Sequence, residues 1–510
     1  MITDERNEVD FVELRRRATL AEYDFLRGAT GAAAVAARLR AAWNSMATKW
    51  QVRPLAERQT IFNHALADWL EQHRGTGSSR TADVIELDRA AARLNRDTGE
   101  VAVHVVRTKG DLDGLGRDVE RGTRQLRLAH FSPLPPTRSG IADYSAELLP
   151  HLAARAEVTL FSDGPDRPTG NLPRRPLAAY PAERWAYDLP LYHMGNSAYH
   201  RDIYRMLLRY PGVVVLHDAI LHQFVAHETL GRGNFPAYAR EMRYALGAAG
   251  VNQLRAIQSG REPLPVAELP LNERLLDTSL GIIVHSRHVA EQIRAARSGV
   301  QVRVIPHMVA PRAARSRRAE LGLAESTLLI AAVGQVTTAK QLPLALRAFR
   351  RLMGFVPDAR FLIVGEILPE VDLDGVVGEL ELGERVIFVD YVESLDAFHD
   401  WAATADVVLN LRYPTLGETS GAALHVMSAG RTLVVFNHGW YAEIPDEAVV
   451  KVPPMDEAAL LAGLLELARS TERRAALGAA AARYVRAECA PGVVADAYVD
   501  FLIDVLEPGW

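Results

Sequence analysis

Four stretches of this chain hold residues whose types and spacing could do chemistry. The first is Val333-Gly334-Gln335-Val-Thr-Thr-Ala-Lys340-Gln341. An apolar run ends at Gly334, a short polar loop follows, and Lys340 stands near the start of the next helical pattern. A compact ammonium there can neutralise a diphosphate. The alternative is a surface lysine, but this chain writes nearly every other cation as arginine. Its lysines are Lys49, Lys109, Lys340 and Lys451, among 58 basic residues. The second stretch is Leu411-Arg412-Tyr-Pro414-Thr415-Leu-Gly417-Glu418-Thr419-Ser420-Gly421, before a helix predicted to end at Gly430. Amides at Thr419, Ser420 and Gly421 can hold phosphate oxygens, each such helix start being worth ~0.3–2 kcal/mol. Glu418 can accept hydrogen bonds from sugar hydroxyls; its bland alternative is a carboxylate that only offsets the helix dipole.

The third stretch, Val213-Val-Val-Leu-His217-Asp218-Ala-Ile-Leu-His222, sets polar residues at the end of a buried run. His217, Asp218 and His222 are ligand or acceptor candidates, against a reading as satisfied core histidines. No further ligand at motif spacing supports zinc. The fourth is His130-Phe-Ser-Pro-Leu-Pro-Pro-Thr-Arg-Ser139-Gly140-Ile-Ala-Asp143-Tyr144-Ser145. Gly140 allows close backbone approach to a ligand at a helix start. The alternative is a loop with a Ser or Asp cap.

The elements that must position these stretches are alternating apolar runs and helical patterns. Strands are expected at Leu126–Phe131, Val158–Phe161, Leu191–Met194, Val213–Leu216, Gly281–Val284 and Val302–Ile305. A second series runs through Leu328–Val333, Phe361–Val364, Val386–Val389, Val407–Leu411 and Thr432–Phe436. Such alternation predicts parallel sheets covered on both faces. The fold class is therefore α/β, with two tandem doubly wound Rossmann-like domains. Ligands are expected at the carboxyl ends of the strands. Residues 225–279 read as a helical excursion.

The predicted division is a helical extension (1–80), a linker (81–125), a first Rossmann-like domain on the acceptor side (126–312), a second on the donor side (313–488), and a carboxyl-terminal helix (489–510) returning to the first. In the extension, Phe11, Leu14, Ala18, Ala21 and Phe25 form one apolar stripe. Residues 1–70 are thus candidates for a peripheral membrane or homo-oligomer contact. Asp111-Leu-Asp113 is read as a solvated loop rather than a metal site. Composition excludes other classes. A formal charge of −5 over 510 residues, with 48% hydrophobic and 24% charged residues, is that of a globular chain with no field for nucleic acid. Cys489 is the single cysteine, which excludes an intrachain disulfide and favours a reducing compartment. The acidic start lacks a signal core, and no apolar run approaches ~18 residues, so a cytoplasmic protein is expected. There is no Gly-x-x-x-x-Gly-Lys-Ser/Thr loop and no Gly-x-Ser-x-Gly elbow, and Gly114-Leu-Gly116 does not make a dinucleotide fingerprint.

Together the four stretches resemble retaining glycosyltransferases of the GT-B fold, family 4, of the bacterial surface-glycan type. Gly195-Asn196 through His200, Val284-His-Ser286 and Ile305-Pro-His307 add to the resemblance, which covers about 126–490. It implies transfer of a sugar from a nucleotide diphosphate donor to a glycan or lipid-linked acceptor. It implies catalytic roles for Lys340, Glu418 and His217. Gly140, Gly334, Gln335, Thr419, Ser420, Gly421 and His425 would bind the donor, and Asp143, Tyr144, Asp218 and His222 the acceptor. No cofactor and no metal is expected. GDP-mannose is the first donor expected, ahead of dTDP-rhamnose and UDP-sugars. Two positions depart from the pattern: Gln335 stands where an arginine is usual, and His425 stands near the usual second glutamate. These favour the competing reading of a non-enzymatic scaffold in a glycan-assembly complex. A nucleotide-sugar epimerase or a phosphorylase of the same fold is a further alternative. Ala42-Trp-Asn-Ser-Met-Ala-Thr-Lys-Trp50 through Trp69 is similar to stretches preceding bacterial surface-glycan transferases and methyltransferases.

Overall fold

The computed structural model describes residues 81–114, 125–163 and 171–506. The helices expected in 1–80, and the contact expected through 1–70, lie outside the described residues. The chain forms two parallel sheets. The first has seven strands in the order β3-β2-β1-β4-β5-β6-β7: β1 Leu126–Phe131, β2 Ala156–Phe161, β3 Arg174–Arg175, β4 Leu189–Met194, β5 Val213–Leu216, β6 Gly281–Val284 and β7 Val302–Val304. The second has six, in the order β10-β9-β8-β11-β12-β13: β8 Leu329–Val333, β9 Arg360–Val364, β10 Val386–Val389, β11 Val407–Asn410, β12 Thr432–Phe436 and β13 Val450–Val452. This is the architecture of two Rossmann-like domains that the alternating pattern predicts. The central strands are buried along their whole length because helices cover both faces, so they read as continuous apolar runs. The edge strands β3 and β13 are too short to show as such a run, and β3 is two arginines.

Strand order reverses between β1 and β4 in the first sheet, and between β8 and β11 in the second. At such a reversal, helices leave to opposite faces and open a crevice at the carboxyl ends. The loops after β1, β8 and β11 are three of the four stretches with chemical residues, and the fourth follows β5 beside them.

Helix α1 spans Thr81–Gly114. Sequence reading makes this segment linker and places Asp111 and Asp113 in a loop; the structure makes it helix. The mixed charge hides a sparse apolar face, of which Ile85, Val103 and Val106 are buried. Polar anchors complete the docking. Arg274 pairs with Asp88 at 2.8 Å, and Asn95 Nδ2 donates to Leu208 O at 2.8 Å. The last described helix, Pro491–Leu506, packs Val494, Tyr498, Phe501 and Leu502 against β1, β5 and β6 of the first sheet. No helix among the described residues is long and apolar enough to cross a membrane.

Candidate active site

The loop after β8 begins at Gly334, whose φ of +88° only glycine adopts without strain. The chain then returns so that Lys340 lies back over the strand end. Lys340 is 6% exposed, and its Nζ donates to Val333 O at 2.6 Å and Gly334 O at 2.7 Å. Burial holds its ammonium well below the ordinary lysine value, and Arg412 adds to the shift. A Cβ on Gly334 would stand 3.2 Å from Nζ and 3.6 Å from Ala422 Cβ. Gly334 thus lies between Lys340 and the first turn of α2, which we define as Gly421–Ser428. Ser420 caps that helix, its Oγ accepting from Ala423 N at 3.2 Å.

The loop after β11 carries a residue that sequence reading passed over as a site residue. Arg412 Nη1 lies 2.8 Å from Glu418 Oε1. The two form an ion pair, while Arg412 Nε and the buried Oγ1 of Thr419 lack hydrogen-bond partners. Buried polar groups without partners are rare, and a site for a polar ligand accounts for them. The other Glu418 oxygen holds its own loop, accepting from Leu416 N at 2.6 Å and Thr415 Oγ1 at 3.1 Å. Gly417, at φ +80°, packs against Ala219 so closely that a Cβ would stand 2.5 Å from the Ala219 Cβ. Ile220 N donates to Leu416 O at 3.0 Å. The Glu418 loop is thus seated on the segment that follows His217.

Gln335 is exposed and donates to Glu366 Oε2 at 3.1 Å. His425 is buried, its Nδ1 2.7 Å from His399 Nε2. Burial, the neighbouring His399 and Arg312 lower its pKa to about 3.

On the first sheet, His217 follows β5 and is 7% exposed. Both its ring nitrogens are taken by other histidines: Nε2 is 3.0 Å from His193 Nδ1, and Nδ1 is 3.3 Å from His285 Nε2. His193 Nε2 is in turn 3.1 Å from His130 Nε2, and His285 Nδ1 is 2.9 Å from Ile305 O. The carbonyl can only accept, so His285 carries its hydrogen on Nδ1 and its Nε2 accepts. His217 must then donate from Nδ1, His193 from Nδ1 and His130 from Nε2. This leaves His130 Nδ1 as the bare end, and that atom is buried without a partner. One carbonyl fixes four neutral rings. Burial is the first cause lowering each pKa: His130 to about 3, His285 to about 4, and His193 and His217 well below the ordinary value. Among the described residues no group of three or more His, Cys, Asp or Glu could hold a metal ion.

Sequence reading singled out His217 and quoted His130 and His285 within motifs, but it did not see them as one chain. The signal was present: histidines stand at or next to the carboxyl ends of β1, β4, β5 and β6. Tyr144 lies among these rings, 5.1 Å from His217 and 4.4 Å from His307 between centroids, and its hydroxyl is 2.8 Å from Tyr498. Asp218 Oδ2 accepts from Asn196 N at 2.7 Å, and burial, with Glu418 beside it, raises its pKa to about 6. Asp143 is exposed in the first turn of the helix Gly140–Ala153, where nothing stands over Gly140. His222 is not brought to this group. It is fully buried in the helical excursion, between Tyr238 Oη at 2.9 Å and Leu269 O at 3.2 Å.

Two doubly wound sheets facing each other across these loops define the GT-B fold. Residues 327–470, which span the Lys340 and Glu418 loops, match the family model described as glycosyl transferases group 1. The chain is similar to sucrose-phosphate synthase from Thermosynechococcus elongatus, with 18% identity and a TM-score of 0.54 over 76% of this chain and 100% of that one. It is similar to Anabaena HepE in complex with UDP and glucose, with 15% identity and a TM-score of 0.53 over 74% and 100%. A glycosyltransferase from Rickettsia africae matches with 10% identity and a TM-score of 0.53 over 76% and 100%. These likenesses show the fold. Among curated proteins no match is found.

Proposed function

We propose that this protein is a retaining glycosyltransferase that moves a sugar from a nucleotide diphosphate donor to a hydroxyl of a glycan or lipid-linked acceptor. The observation that carries the reading is the meeting of Lys340, Arg412 and the amino end of α2 at the strand reversal of the second sheet. That group supplies cation, guanidinium and free amides where a diphosphate would leave. Preorganised donors of this kind contribute most when charge develops in the transition state. The leaving phosphate takes the acceptor proton on the same face, so no protein base is required, and Lys340 with the helix start stands in for a metal. Glu418 orients the donor loop and sugar. His217 acts as a fixed neutral wall rather than as a cation, because both its nitrogens are bonded. Residues 1–70 would bring the enzyme to a membrane face or a second copy.

The donor panel is GDP-mannose, dTDP-rhamnose and UDP-glucose; HepE was solved with UDP-glucose, which moves the last of these up. Thermal shift of the full chain with each compound tests the reading. Stabilisation by one nucleotide sugar, followed by product with retained anomeric configuration, is the expected result. The second reading, a scaffold without turnover, is favoured by the two carbonyls that occupy Lys340 Nζ. It predicts no stabilisation by any member of the panel.

A further inference from the structure

The histidines of the first sheet bond one another, but one beside them faces the other domain. His307 lies on the crossing between β7 and β8. Its Nδ1 is 3.0 Å from Met308 O, so Nδ1 carries the hydrogen and, in the neutral ring, Nε2 is a bare acceptor. Burial, His285 and His425 hold the ring neutral by pushing its pKa well below the ordinary value. Among the described residues no group bonds Nε2. The Cε1–Nε2 edge faces the first residue of α2: a Cβ on Gly421 would stand 3.4 Å from Cε1 and 3.6 Å from Nε2. Gly421 is not one of the glycines with positive φ, so its backbone does not require glycine. What a side chain there would take is the space in front of His307.

A bare lone pair beside helix amides selects its ligand. A phosphate oxygen suits the amides but brings no hydrogen to Nε2, so it could bond there only by also drawing a proton onto a ring that burial keeps neutral. A hydroxyl suits both, donating to Nε2 while its oxygen lies by the amides or the diphosphate. Resting on the transfer reading above, we propose that His307 is a hydroxyl-binding residue of this site. Its Nε2 accepts a hydrogen bond from a sugar hydroxyl held against the amino end of α2. Tyr144, its ring tilted 53° against that of His307 at 4.4 Å between centroids, keeps the ring in place. The hydroxyl comes from the donor sugar or from the acceptor, and the test separates the two.

Full-length wild type, His307→Phe and His307→Gln are compared. Calorimetry measures binding of UDP against UDP-glucose and of GDP against GDP-mannose. Donor hydrolysis without acceptor and transfer to methyl α-mannoside and methyl α-glucoside are followed separately. If the donor supplies the hydroxyl, His307→Phe weakens the nucleotide sugar about 2- to 10-fold and leaves the bare nucleotide unchanged. If the acceptor supplies it, donor binding and hydrolysis hold while KM for the glycoside rises by a similar factor. In either case His307→Gln, whose amide oxygen reaches the Nε2 position, recovers most of the loss. Two results overturn the inference: variants matching wild type in every reading, or equal weakening of nucleotide and nucleotide sugar. A wild-type protein that binds no member of the panel overturns the transfer reading itself, a different and recognisable failure.

Discussion

The carboxyl ends of the two sheets are both buried, both sit at a strand reversal, and treat charge in opposite ways. On the first sheet, polar groups remove charge. Each histidine donates to the next, the series ends on Ile305 O, and the rings are held neutral by burial. On the second sheet, charge is concentrated: burial depresses Lys340, Arg412 adds to the shift, and Glu418 is in contact with Arg412. Desolvation penalises an ion and leaves a satisfied neutral chain nearly untouched. The first arrangement is therefore stable as it stands, whereas the second is one that a bound anion would stabilise. On the proposed reading the neutral side would be a wall for hydroxyls and the charged side a seat for a diphosphate, joined at the Ala219–Gly417 contact.

The largest effect expected from breaking this contrast is at Lys340. Lys340→Ala removes the buried cation and should lower transfer from the panel's best donor by ~10²-fold or more, as should Glu418→Ala, which frees the Thr415–Leu416 turn. Near-normal kcat/KM in both, with the fold intact by circular dichroism, would sink the assignment of the second sheet. The depressed lysine adds a sign. A diphosphate favours the ammonium, so its binding should raise the lysine's pKa; at pH values where the free site has begun to lose that proton, binding draws it back and nucleotide affinity falls as pH rises. Calorimetry in buffers of different ionisation enthalpy measures the uptake; Lys340→Met should abolish it.

Arg412→Gln comes next. It removes the second cation and leaves Glu418 in contact with a neutral amide. A loss of about 10-fold in kcat/KM is expected, between the lysine effect and that of an ordinary surface arginine. Initial rates at low donor concentration decide it.

The neutral side is tested through stability. His193→Phe orphans the N–H of His130 and deprives His217 of its donor, and should cost about 1–3 kcal/mol in urea unfolding at pH 7.5. The pH dependence follows from the lowered pKa values. Unfolded histidines take up protons below about 6.5, whereas folded His130 and His285 do so only near about 3 and about 4. Their contribution is present in full above pH 6.5 and is lost as pH falls, by about 1.4 kcal/mol per pH unit for each ring. Wild type should therefore lose stability steeply between pH 6.5 and 5, and His193→Phe less steeply. Equal slopes would show that the chain does not titrate as argued.

This contrast was only half legible in the sequence. The cationic side was, because Lys340, Glu418 and the Ser420-Gly421 helix start fall within two continuous stretches, and central strands such as β5 are unbroken apolar runs. Arg412 was passed over since its meaning depends on Glu418 folding back across a turn six residues on. The histidine chain was missed because its members are up to 155 positions apart in sequence, from His130 to His285, and become neighbours only through parallel pairing. His222 misled for the converse reason: it lies five residues from His217, but the chain turns into a helix there and carries it to Tyr238. Helix α1 was hidden by mixed charge, its apolar face being too sparse to show periodicity.

Gln335 makes the smallest and sharpest test. The resemblance to family-4 enzymes puts an arginine there, and its loss suggested a weakened diphosphate site. The structure shows Gln335 exposed and bonded to Glu366, while the Arg412 guanidinium, from the other loop, is near enough to act electrostatically on Lys340. If Arg412 supplies the second cation, Gln335→Arg should change little. The new guanidinium would pair with Glu366 at the surface, worth about 0–1 kcal/mol, so nucleotide affinity should shift by no more than about 5-fold. In the Arg412→Gln background the same substitution should matter more, because the site then lacks a cation that position 335 can partly replace. A gain in the double variant larger than in the single is the coupling expected of two residues serving one anion. A tenfold gain from Gln335→Arg alone would show that the wild-type site is short of charge, and would move the balance toward the scaffold reading.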